Sequence, residues 1–173
     1  MRIGLVGTMS VGKTTLAKAL GETDRFKDHV VQTERSKYLS NLGIPLNTDS
    51  TLRGQFIFLA ERATELLQNN IITDRTIWDV CAFTLSAKSI LDWEKRDFVT
   101  AAMNLRQYYD YVVYVSPDGI KMEDNGIRET DIIYRDKIDT VIQMLLNEYT
   151  PTKLITVKGS TEERIATIIS NIK

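Results

Sequence analysis

Apolar residues along the chain follow two alternating rhythms. Short runs rich in β-branched residues stand at 3–6, 30–32, 71–73, 111–115 and 154–157, each too short for a helix and bounded by polar turns. They predict five strands. Between them apolar residues recur at steps of three and four, as Phe56, Leu59, Ala60, Ala63, Leu66 and Leu67 in one stretch and Ile138, Val141, Ile142, Leu145 and Leu146 in another. A last amphipathic helix presents Ile165, Ile168, Ile169 and Ile172, and Ser160 with Glu163 three positions on reads as its capping box. Strands alternating with helices imply an α/β fold whose parallel sheet is covered on both faces and whose ligands gather at the carboxyl ends of the strands. The nine glycines and three prolines fall where elements should end, with no linker, repeat or low-complexity stretch between them. One domain over residues 1–173 is the expectation.

Composition narrows the function classes. The 22 Lys and Arg against 23 Asp and Glu leave a net charge of −1, which provides no basic footprint for nucleic acid and no polybasic segment for an anionic membrane. Any nucleic-acid contact would have to be local. No apolar run approaches the ~18 residues that a membrane helix needs, and the chain enters a strand-like segment at Ile3 instead of a signal-peptide pattern. Cys81 and His29 are the sole cysteine and histidine, too few for a disulfide, a zinc core or a histidine-based triad. A reducing, cytoplasmic location is expected.

Directly after the first strand stands Gly7-Thr8-Met9-Ser10-Val11-Gly12-Lys13-Thr14, filling every fixed position of G-x-x-x-x-G-K-[ST] and running into helical Thr15-Leu16-Ala17. The glycines let the loop close tightly, so that N–H groups from Ser10 to Thr15 form an anion nest at the positive end of the next helix. Lys13 then supplies a cation to the β- and γ-phosphates of ATP, and the Thr14 hydroxyl a ligand for Mg²⁺. Switch GTPases, remodelling ATPases and small-molecule kinases all use such a loop. The later Asp-x-x-Gly and Asn-Lys-x-Asp of a GTPase have no plausible counterpart. An ATPase strand ending Asp-Glu is replaced by Ile71-Ile72-Thr73-Asp74-Arg75, in which nothing obvious activates water. Asp74 is a candidate for holding Mg²⁺ or for acting as a base, and Arg75 for clamping phosphate with its fork of donors. A kinase fits best.

The loop GTMSVGKT, the segment TERSKYL after the second strand, RGQF on the next helix, TDRT after the third strand and the later DNGIRETDIIYRDKID resemble the nucleoside and nucleotide kinases of the P-loop superfamily. In order and spacing they are most similar to ribosylnicotinamide-kinase domains, related small AAA-type ATP-binding domains and phage deoxynucleotide kinases. The resemblance spans nearly the whole chain. It implies a three-layer α/β/α fold with sheet order 2-3-1-4-5, an acceptor-binding helical region over about 34–70 and a small lid over about 118–137. It places Glu34, followed by Arg35, near the hydroxyl to be phosphorylated, where a carboxylate can accept the proton of a poor alcohol nucleophile. It puts Gln55 and Phe56 where related kinases hydrogen-bond and stack a base, with Arg53 nearby for a phosphate or sugar hydroxyl. Gly159 would pass the adenine. Arg128 and Arg135 lie near one face if their segment is helical, and both would reach the transferring phosphoryl group. Similar kinases are often dimers through a helix pair.

These readings converge on Mg²⁺-dependent transfer of the ATP γ-phosphoryl group to a nucleoside or a (deoxy)nucleoside monophosphate. Glu34 favours a hydroxyl acceptor, whereas Arg35, Arg53 and Arg75 would suit one already phosphorylated. The rivals are a kinase of a modified base or end within DNA, and a non-catalytic ATP-binding regulator or ATPase switch.

Overall fold

The five β-branched runs pair into one parallel sheet. In the computed structural model, which describes residues 1–118 and 132–173, they form β1 (Arg2–Val6), β2 (Val30–Gln32), β3 (Ile71–Asp74), β4 (Tyr111–Val115) and β5 (Leu154–Val157). The order across the sheet is β2-β3-β1-β4-β5. Ile3 of the central strand stands opposite Ile72 on one side and Tyr111 on the other. Among the described residues six helices lie between strands, α1 (Lys13–Gly21), α2 (Ser36–Asn41), α3 (Leu52–Glu65), α4 (Ile77–Ser86), α5 (Asp92–Met103) and α6 (Ile132–Glu148), and α7 (Thr161–Asn171) follows β5.

Alternation along the strands divides the core between the two faces. Ile3, Leu5, Val113 and Ile155 point to the layer where α1 and α7 bury Leu16, Leu20, Ile168 and Ile172. Val6, Val112 and Tyr114 point the other way, onto Trp78 and Cys81 of α4, Phe98 of α5 and Ile138 and Ile142 of α6. Each such aliphatic or aromatic group contributes ~1.5–3 kcal/mol by leaving water. Gly4 is required on the second face, because a Cβ there would meet Thr76 Cγ2 at 2.5 Å and the Tyr109 ring at 2.6 Å. The start of α4 therefore sits directly on the central strand, beside the phosphate loop.

The expected face of α3 is buried only in part, with Leu66 in the core and Leu59 packed against it. Phe56 is 49% exposed and Leu67, past the helix end, is 80% exposed. Gln55, Arg62 and Glu65 turn inward instead. Arg62 accounts for part of this, since its Nη2 donates to Glu65 at 2.6 Å and its Nη1 to the Asp74 carbonyl at 3.1 Å. A helix that braces the end of β3 carries polar partners on its inner side, and hydrophobic periodicity is blind to them. Trp78 is core, donating from Nε1 to the Tyr149 carbonyl at 3.1 Å, while Trp93 is exposed. Among the described residues no helix is long and apolar enough to cross a membrane.

Candidate active site

β1 delivers the chain into the loop at Gly7, where a Cβ would stand 2.7 Å from the Val115 carbonyl of β4. Ser10 (φ 58°) and Gly12 (φ 81°) both adopt left-handed backbone, and Gly12 is the N-cap of α1. Such alternation of backbone hand curls successive N–H groups inward into an anion nest. Lys13 arches back over the loop, its Nζ donating to the carbonyls of Gly7 at 2.5 Å and Thr8 at 2.7 Å. Burial lowers its pKa to about 8, against the opposing pull of Asp79. The Thr8 hydroxyl donates to the Arg135 carbonyl at 2.9 Å, tying the first turns of α6 to the loop.

Thr14, in the first turn of α1, donates its hydroxyl to Asp74 Oδ2 at the end of β3. Two hard oxygen groups from different elements thus meet beside the nest. This donor set suits Mg²⁺, which takes few protein ligands and completes its shell with water and phosphate oxygens.

On the other flank the chain leaves β3 through Arg75, whose φ of 86° is left-handed for a non-glycine residue. Its N–H still donates to the Leu5 carbonyl at 3.0 Å, so the turn is held by the central strand. That turn aims the guanidinium over the Phe83 ring at 4.9 Å and sets Nε 3.4 Å from Glu34 Oε2. Glu34 also accepts from Ser36 Oγ at 2.6 Å and Ser36 N at 3.1 Å. Burial opposes its ionisation, but Arg75 and the two Ser36 bonds outweigh burial and hold its pKa below the usual value. Beneath the pair opens a cleft of about 540 Å³, open mouth included. Its walls include Glu34, Arg75, Asn47, Gln55, Phe58 and Phe83.

A family model described as AAA domain matches residues 2–164. The chain belongs to that AAA-domain family. No curated protein matches its sequence. Among solved structures, it is similar to a deoxyadenosine kinase from M. mycoides with bound dCTP, at 17% identity and TM-score 0.68, over 98% of this chain and 97% of that one. A thymidylate kinase from Ehrlichia chaffeensis matches at 17% identity and TM-score 0.66, over 98% and 97% of the two chains. The YorR protein from Bacillus subtilis, in complex with phosphorylated GDP, matches at 19% and 0.60, over 98% and 94%. The shared architecture is the fold of P-loop nucleoside and nucleotide kinases.

Within this AAA domain the site residues expected from sequence divide into two groups. Lys13, Thr14, Glu34, Asp74, Arg75 and Gln55 converge on the loop and the cleft. Arg35 instead pairs with Glu61 at 3.4 Å and lies over Tyr38 at 4.5 Å, and Arg53 is exposed outside the cleft lining. Phe56 sets its ring edge on Phe98 at 5.1 Å, and Phe58 lines the cleft in its place. Gly159 (φ 84°) turns the chain after β5. Arg135 is buried at the base of α6, donating to the Pro117 carbonyl at 3.2 Å. Arg128, with most of the expected lid, lies outside the described residues.

Asp79 was not expected. Fully buried on α4, it accepts from Thr76 N at 2.7 Å, Thr76 Oγ1 at 2.9 Å and Gly7 N at 3.3 Å, and stands 4.0 Å from Lys13 Nζ. Burial pushes its pKa up, countered by Lys13, Arg75 and the Thr76 bonds. The signal lay in the Thr76-x-x-Asp79 spacing, a capping box in form, which also couples the turn after β3 to the phosphate loop. Asp79→Ala would strand three donors and a buried cation, with an expected loss of ~2–4 kcal/mol from the unfolding free energy. A urea titration checks this, and an unchanged midpoint would refute it.

Proposed function

We propose that the chain is an ATP-dependent nucleoside kinase, a single domain that transfers the γ-phosphoryl group to a nucleoside hydroxyl. The observation that carries this reading is the Glu34–Arg75 pair at the head of the cleft. A phosphorylated acceptor would bring about two negative charges and needs cations of its own. Among the described cleft residues the cationic side chain is that of Arg75, and it is already matched by Glu34. A neutral sugar hydroxyl needs a carboxylate to bond to, and Glu34 is ionised, held by Arg75 and Ser36, and positioned for it.

In this mechanism the nest and Lys13 hold the donor phosphates, and Lys13 follows the charge that grows on the bridging oxygen. Glu34 accepts the hydroxyl proton as the acceptor oxygen bonds to phosphorus. Arg75 keeps Glu34 ionised and oriented, while the bond from the γ-phosphorus to the bridging oxygen breaks and ADP leaves. Thr14 and Asp74 would hold Mg²⁺, which when bound neutralises the phosphate oxygens. Gln55, which lines the cleft with Phe58 and Phe83, would read the base with one donor and one acceptor.

Transfer from labelled ATP to a panel of nucleosides, deoxynucleosides and their monophosphates tests the proposal, with Lys13→Ala as control. The expected product is a nucleoside monophosphate. Transfer confined to monophosphate acceptors would overturn the nucleoside assignment, and no transfer to either class would overturn the kinase reading.

A further inference from the structure

Arg164, in the first turns of α7, carries a guanidinium on a residue only 4% exposed. Its Nη1 donates to the Val11 carbonyl of the phosphate loop at 2.7 Å. Among the described residues, neither Nε nor Nη2 has a partner and no carboxylate forms an ion pair with it. Glu163, its neighbour, is turned to the Ser160 N–H at 2.7 Å in the α7 cap. A buried cation without a counter-charge is costly, and burial alone pulls the Arg164 pKa down.

The bond from Arg164 to Val11 bears on how the loop faces an anion. The chain has no cis peptide among its described residues, so the Val11 carbonyl and the Gly12 N–H point in opposite directions. Drawing the carbonyl toward α7 turns the Gly12 N–H away from α7. It also keeps a carbonyl oxygen from facing an anion. The guanidinium lies beside Gly12 itself, with Nη1 3.4 Å from where a Cβ would be, and so places its charge directly behind the N-terminus of α1.

We infer that Arg164 is a positioning residue for the donor polyphosphate: it sets the Val11–Gly12 peptide from behind, and its buried charge is complemented by the phosphate chain on the other side of the loop. The inference rests on the reading of the loop as the ATP site. It assigns to α7, an element far from the loop in sequence, a share of nucleotide affinity.

Calorimetric titration with ATP and with inorganic tripolyphosphate, on wild type, Arg164→Met, Arg164→Gln and Arg164→Lys, tests it. Arg164→Met loses both charge and donor, and is expected to weaken both ligands alike by about tenfold to a hundredfold, the range for a hydrogen bond to a charged group. Arg164→Lys keeps the charge and one donor and should stay within about threefold of wild type. Arg164→Gln retains a donor for Val11 without the charge and should fall between, and it replaces the Met variant if that one does not fold by circular dichroism. In turnover assays the loss should appear mainly as a higher KM for ATP. Wild-type affinity in the Met or Gln variant, or a loss for ATP with none for tripolyphosphate, would overturn the inference. Absence of ATP binding by the wild type would instead overturn the reading of the loop.

Discussion

Glu34→Gln is expected to lower turnover of a nucleoside acceptor by about a hundred- to a thousandfold, within the range for a positioned general base, while leaving the KM for ATP nearly unchanged. The amide keeps the volume and can still accept from Ser36, but it cannot take the hydroxyl proton and no longer matches Arg75. The pH profile carries a second signature. Because Arg75 and Ser36 hold the Glu34 pKa below the ordinary value of 4.5, the wild-type acid limb should lie below pH 4.5. The contribution of this group to stability has the same sign: it is present above the unfolded pKa and is lost as pH falls through the lower folded one. A low pKa also makes Glu34 a modest base. Its larger service is to fix the hydroxyl in line with the γ-phosphorus, which suits a loose transition state in which the proton leaves late. Steady-state rates of the variant on nucleoside acceptors, compared with wild type between pH 4 and 8, check both points, and a variant retaining wild-type turnover would remove Glu34 from the chemistry.

How far the sequence reveals this site depends on whether a residue's role is local. The strands were legible because β-branched runs between turns have few alternatives, and the loop because its glycines, Lys13 and Thr14 are contiguous and their spacing is itself the geometry. Asp74 and Arg75 could be found at the end of a buried strand, where a parallel sheet collects its chemistry. Glu34 could be found by the same logic, but its bond to Arg75 joins β2 to β3 and is a property of the sheet order. The inner face of α3 was read only in part: Leu66 is core as its spacing suggests, but Arg62 turns inward to reach the Asp74 carbonyl of β3 and carries Glu65 with it, and hydrophobic periodicity does not register polar residues. Asp79 and Arg164 were hidden for a related reason. Each looks local, one as the third residue of a capped helix and the other as a basic residue in an acidic first turn, yet each reaches the phosphate loop across the fold.

Lys13→Met is expected to reduce phosphoryl transfer by about a thousandfold or more, the upper end for loss of one preorganised electrostatic contact to a developing charge. What distinguishes Lys13 from a generic buried cation is that affinity and stability should respond to pH in opposite directions. Burial lowers its pKa from 10.5 to about 8, so below pH 8 the folded protein bears the cost of an ammonium group out of water. As pH rises from about 8 to 10.5 the folded protein gives up that proton while the unfolded chain keeps it, and this group's contribution to stability increases. ATP binding runs the other way, because the phosphates favour the charged form and must draw a proton back. Affinity should therefore fall by up to about tenfold per pH unit above pH 8, with uptake of close to one proton per ATP bound. Calorimetry at pH 9 in buffers of different ionisation enthalpy measures that uptake directly. In Lys13→Met both slopes assigned to this group should vanish together; a surviving proton uptake in the variant would show that another group supplies the charge.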